Sequence, residues 1–195
     1  MGFIKETQQG ANPKDKDLTD VKTLINVKAN VETVYTKNDE TILLLDQLDE
    51  SLKFLQSHGI SKDKEMKQTS KLFSEWTGLK KLAKDVKKEI APLCDAESKR
   101  NMAVITRHEE DLKQYIAAMK KRDFYRYDTG RDTALHSLEN VNGEIEERIA
   151  KTSELRYNAE KFEHPTAIEA SEVKIKEIQN EVALMQGLWD HIAEC

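Results

Sequence analysis

From Met66 to Pro92, the apolar or seam-compatible residues Met66, Thr69, Phe73, Trp76, Leu79, Ala83, Val86 and Ile90 recur at intervals dominated by threes and fours. That spacing lays one stripe along one face of a helix. The rest of the surface is charge. Nine lysines stand against Asp63, Glu65, Glu75 and Asp85 between Lys62 and Lys88, a local balance of +5 in a chain whose net charge is -5. Such a helix is not stable alone in water, because its stripe has to be buried against other helices.

The remaining sequence supplies candidates for those helices. From Leu18 the periodic positions are Val21, Leu24, Ile25, Val31, Val34, Tyr35, Ile42, Leu45, Leu48, Leu52 and Leu55, with no Gly or Pro before Gly59. The seam passes through Asn38 and Asp39, which predicts one long helix rather than a hairpin. Gly59 fits a C-terminal cap and Ser61 an N-cap for the next helix. Beyond Pro92 the pattern resumes at Val104, Ile105, Leu112, Tyr115, Ile116 and Met119 after the polar interval DAESKRN, which predicts a helix kinked at the proline and ending near Asp123. Leu135, Leu138, Val141, Ile145, Ile149, Leu155, Ala159 and Phe162 form a further stripe that His164-Pro165 stops. Ile175, Ile178, Val182, Met185, Trp189 and Ile192 form a heptad seam that runs towards Cys195, as in a helix cut from something longer.

The expected fold is all-α, an elongated bundle of long, kinked antiparallel helices with heptad-like seams. Its expected organisation is a flexible lead-in over 1–17, a first bundle with two long helices over 18–130, and a second helical segment over 131–195 leading towards a linker. A charged share of 34% against 38% apolar suits helices with much solvated face.

Charge and composition exclude several function classes. The acidic balance argues against nucleic acid as the main partner. The apolar runs, such as Ile42 to Leu45, are all far too short to span a bilayer, and Glu6 breaks the myristoylation pattern that Met-Gly would begin. Cys94 and Cys195 lack a framework spacing, as in a reducing compartment. No phosphate loop, HExxH or CxxC occurs, and none of the five histidines has Glu three residues before it, as a di-iron bundle requires. No catalytic, metal or cofactor residue and no small-molecule substrate is therefore expected. His108 reads as a packing residue rather than a ligand, and Cys94 as a small apolar one rather than a reactive thiol.

Two groups remain as possible partner-binding sites. Lys80, Lys84, Lys87 and Lys88 share a face that could meet an acidic partner, although a solvated face is the simpler reading. Phe124, Tyr125 and Tyr127 crowd next to a turn, where they could dock a partner or close the end of a bundle. Trp76 and Trp189 sit on seams as core residues.

Four passages together resemble a known family: WTGLKKLAKDVKKEIAP (76–92), FYRYDTG (124–130), LRYNAEKFEHPTAIEAS (155–171) and EVALMQGLWD (181–190). In this order they look like the tail of an axonemal dynein heavy chain of outer-arm type, just before the linker. The resemblance implies a series of helical bundles that joins heavy chains, carries intermediate and light chains, and anchors the motor on the axonemal docking machinery. It implies a place in the cytoplasm, on the cytoskeleton of the cilium axoneme. It implies no catalytic residue, since the motor's nucleotide sites lie elsewhere in that family. The alternative is a spectrin-like crosslinking module. Its repeats would match around each Trp, and SEWTGLKKL and QGLWDHIAE do not.

Overall fold

The computed structural model describes residues 2–14 and 16–192. Cys195, and the expectation that the last seam runs off the chain there, lies outside the described residues. Six α-helices are present among them: α1 (Gly2–Ala11), α2 (Val21–Thr36), α3 (Asn38–Ser57), α4 (Asp63–Met119), α5 (Arg131–Lys161) and α6 (Glu169–Ile192). Short 3-10 turns lie at Asp123–Tyr125, Tyr127–Thr129 and Pro165–Ile168, and no strand occurs among the described residues. The protein is an all-α helical bundle.

The chain divides into two compact units, residues 1–96 and 97–195. The division was expected at 130; it falls instead inside α4, at the polar interval DAESKRN. Along α4 no apolar residue between Ile90 and Ile105 is buried. Pro92 lies inside the helix without ending it.

In the first unit, Leu24, Val27, Val31 and Val34 of α2 form a buried stripe, and Thr69, Trp76, Leu79, Ala83, Val86 and Ile90 of α4 form another. Asp20 caps α2, accepting from the backbone N–H of Thr23 at 2.9 Å. Residues 1–17 were expected to be a flexible lead-in, yet Gly2–Ala11 is helical. Its buried residues are Ile4, Thr7 and Ala11, a helical stripe disguised by small and polar types. Phe3 stacks on Trp76 with centroids 6.4 Å apart. A Cβ on Gly10 would collide with the Asn30 side chain, so α1 approaches α2 closely there.

The single long helix expected from Leu18 is two helices, broken at Lys37 (φ -93°, ψ 1°). Thr36, Asn38 and Asp39 surround the break, and such side chains compete with the helical backbone for hydrogen bonds. The Thr36 hydroxyl donates to the Thr33 carbonyl, and Asn38 Nδ2 donates to Asp39. At the far end of α3, Gly59 adopts φ 81°, and the N–H groups of Gly59 and Ile60 return to Gln56 and Leu55. That is the glycine cap the sequence predicts. Helix α4 begins at Asp63, two residues beyond the expected cap at Ser61.

The second unit is an up-down-up three-helix bundle. Asn101, His108 and Arg122 of the α4 segment and the loop after it meet His164, Thr152 and Glu144, which sets that segment antiparallel to α5. Glu109 meets Lys174 and Phe124 meets Trp189, which sets it parallel to α6. Leu112, Met119, Leu138, Val141, Ile178 and Val182 fill the centre.

Candidate functional site

The lysines singled out from the sequence lie on the exposed flank of the first half of α4, beside the end of α2. Their position follows from the seam: Trp76, Leu79, Ala83, Val86 and Ile90 turn one face inward, so residues a third of a turn away emerge at its edge. Lys80, Lys81 and Lys84 line an open cavity of about 430 Å³ together with Val34, Tyr35 and Asn38. The Lys87 ammonium sits 5.0 Å from the centroid of the Tyr35 ring, a cation–π contact. Lys88 is exposed one turn on from Lys84.

Electrostatically this face is unbalanced. Lys80, Lys81, Lys84, Lys87 and Lys88 make no ion pair among the described residues, whereas Lys71 pairs with Glu75 at 3.7 Å on the same helix. Lys80–Lys84 and Lys84–Lys88 are like charges four residues apart, each costing a few tenths of a kcal/mol. The buried Oδ1 of Asn38 adds an acceptor with no partner among the described residues. An acidic side chain placed over the cavity would relieve the repulsion between the lysines.

The aromatic group divides three ways. Phe124 is fully buried, its ring 4.8 Å from that of Tyr125, and its carbonyl accepts the Trp189 indole N–H at 2.8 Å. It closes the end of the three-helix unit and offers no docking surface. Tyr125 is half-buried; burial, with the Glu181 carboxylate beside it, pushes its hydroxyl pKa up. Tyr127 is 83% exposed, on a turn where Arg126 and Asp128 pair at 2.8 Å. Of the three, Tyr127 is the one a partner could reach. Gly130, at φ 80°, then turns the chain into α5.

His108 is buried at 8% exposure. Its Nε2 lies 2.8 Å from the Thr152 hydroxyl, which donates its one hydrogen to the Arg148 carbonyl. The ring nitrogen must therefore carry the proton and donate. This is the packing role read from the sequence. Among the described residues no three His, Cys, Asp or Glu side chains come together as a metal site. Among them also, no helix is long and apolar enough to cross a membrane.

No protein-family model matches the chain. It is similar to the dynein alpha chain of the flagellar outer arm of Chlamydomonas reinhardtii, with 28% identity over 163 residues, 83% of this chain. The chain is dynein-related. It spans 4% of the length of that relative.

Within this dynein-related chain, sequence reading missed Val34, Tyr35, Asn38 and Lys81 as parts of the lysine cavity. Tyr35 was taken for a seam residue, but it is 47% exposed and faces Lys87. Tyr35 follows the buried Val34 in α2 and so stands at the edge of its stripe.

Proposed function

We propose that this chain is a non-catalytic tail segment of a dynein heavy chain. In this reading it acts as a mechanical scaffold, linking a motor to other heavy chains, to intermediate or light chains and to axonemal docking subunits. The observation that carries the reading is the match over 163 residues to an outer-arm dynein chain of which it covers 4%, in a chain whose described residues form packed helices. Close-packed seams resist bending and pass force along the helices, while the unpaired lysine face supplies a contact for an acidic neighbour. The environments of the two tryptophans disfavour the repeat-module alternative. Trp76 stacks on a phenylalanine and its N–H has no partner among the described residues, whereas the N–H of Trp189 is bonded to a carbonyl.

The test is affinity capture of the tagged chain from a ciliary extract at moderate salt, beside a variant with Lys80, Lys84, Lys87 and Lys88 all changed to Glu. Capture of dynein chains or docking subunits that the variant loses supports the proposal. Recovery of actin-associated proteins instead overturns it in favour of a crosslinking module.

A further inference from the structure

Helix α3 has apolar residues on more of its circumference than its unit covers. Leu45 and Leu52 face the core. On the outer side Leu43 is 57% exposed, Leu44 59%, Leu48 42% and Phe54 63%. Leu44, Leu48 and the half-buried Leu55 follow one another at four and seven residues on one line, and Leu43 and Phe54, eleven residues apart, form a second line, with the exposed Gln47 and Ser51 between the two. A helix apolar around this much of its surface is normally enclosed by helices on two sides. Here one side is open.

The rim of the strip has a definite sign. Asp39, Asp46 and Glu50 recur at seven and four residues along the edge beyond Leu43 and Phe54, and all three are exposed. None makes an ion pair among the described residues; the pairs on and near α3 are Lys37–Glu40 and Lys53–Asp49. Over its length α3 carries five acids and one lysine. Pairing α3 with the α3 of a second copy would set acidic rim against acidic rim, and an anionic membrane surface would meet the same repulsion.

We infer that the outer face of α3 is the docking site for a basic amphipathic helix of a partner protein. The partner's leucine-type anchors would cover Leu43, Leu44 and Phe54, and its lysines or arginines would meet Asp39, Asp46 and Glu50. This goes beyond the proposed scaffold role and does not depend on it, because the surface lies on another helix from the lysine face and its test uses no dynein subunit.

The probe is a labelled synthetic helix of three heptads with Leu at the a and d positions and Lys elsewhere. It is titrated against the purified full chain by fluorescence anisotropy, beside a peptide with Glu for Lys and one with the Lys peptide's residues shuffled out of register. The amphipathic Lys peptide is expected to bind at least about tenfold tighter than either control. Changing Leu43 and Leu44 to Gln should weaken it roughly tenfold or more, as for lost interface anchors. Asp46→Lys with Glu50→Lys should weaken the Lys peptide and strengthen the Glu peptide, which identifies the rim independently of the strip. Unchanged circular dichroism melting shows that both variants fold. Equal binding of the shuffled peptide overturns the inference, as does binding insensitive to both variants. A dimer in sedimentation that the Leu43, Leu44 variant abolishes overturns it in favour of a second copy.

Discussion

The two units solve the same packing problem with different materials. In residues 97–195 the helices are joined by polar side chains as well as by apolar ones. Trp189 donates to the Phe124 carbonyl, His108 to Thr152, and Asn101 to His164. Arg122 grips both oxygens of Glu144 at 2.9 and 2.7 Å, and the Arg148 guanidinium lies 3.7 Å from the Tyr115 ring centroid. Burial pushes the Tyr115 hydroxyl up to about 12, and the neighbouring Glu144 carboxylate adds to this. In residues 1–96 the ion pairs run within helices, as in Lys28–Glu32, Lys53–Asp49 and Lys71–Glu75. Its largest buried side chain, Trp76, has an N–H without a partner among the described residues, and α3 leaves four large apolar residues in solvent. Directional bonds specify a unique arrangement of the helices in the second unit, although Val173, Leu184 and Leu188 of α6 stay exposed there. The first unit is held by seams and has surface to spare for another helix.

The largest expected effect tests that difference at the tryptophans. Trp189→Ala removes a buried ring and its hydrogen bond and should cost about 3–5 kcal/mol of unfolding free energy in urea titrations. Phenylalanine at the two positions separates ring from bond. Trp189→Phe leaves the Phe124 carbonyl unpaired, a loss of roughly 1–3 kcal/mol, whereas Trp76→Phe removes an N–H that has no partner and should cost less. Equal costs at both sites would erase the contrast between the units.

Helix α3 offers the second test, because its two faces make opposite predictions. Leu45→Ala, in the core, should destabilise by about 2–4 kcal/mol. Leu44→Gln, one residue away and outward, should stay within about 0.5 kcal/mol of the parent. A large loss at Leu44 would mean that the outer strip is already covered in solution.

How the sequence encodes this contrast explains what could be read from it. The stripe of α4 and the seams of α5 and α6 were legible because apolar residues repeat there at one spacing and each lands in a core. The glycine at the end of α3 was legible because only glycine adopts φ 81° without strain. Helix α1 was hidden because its buried stripe is Ile4, Thr7 and Ala11, two of which carry little apolar signal. The unit boundary was hidden because a helix continues across it, so no turn residue marks the place. Leu48 looked like a seam residue and is 42% exposed, since periodicity shows that a face is apolar but not what covers it. The same limit applied at the site: the lysines were visible as a face, but Tyr35 and Asn38 came to them through tertiary packing.

A third test compares two helix ends of the same type. The C-terminus of α5 repeats the hydrogen bonding of α3, with His164 N–H returning to Ala159 at 2.9 Å, but Glu163 stands at φ 66° where α3 has Gly59. Glu163→Gly should relieve that backbone and stabilise the chain by about 0.5–1 kcal/mol, while Gly59→Ala should cost about as much. Thermal unfolding of the pair checks both signs. A loss on Glu163→Gly would show that the glutamate side chain outweighs the strain.

The smallest effect is confined to the second unit and to a window of pH. Burial lowers the pKa of His108; Asp111 opposes the shift, and Lys151 and Arg148 add to it. In the unfolded chain the ring takes up a proton near the ordinary value of about 6.5, while the folded ring stays neutral to lower pH. Between those values the unfolded state binds more protons, so stability must fall as pH drops from about 7 towards 5. His108→Gln keeps an N–H that can reach Thr152 and removes the titration. The parent should therefore lose stability relative to the variant across that window. Glu109, paired with Lys174 and Lys113, has its pKa lowered. So does Glu144, where burial opposes the shift and the Arg122 bonds outweigh it. Their contributions begin to fade only as pH falls into the ordinary carboxylate range, and parent and variant share them, so they do not confuse the comparison. Urea midpoints for both proteins at pH 7, 6 and 5 decide it: parallel curves would mean that the ring is protonated as readily inside the bundle as outside, and that the bond to Thr152 does not hold it neutral.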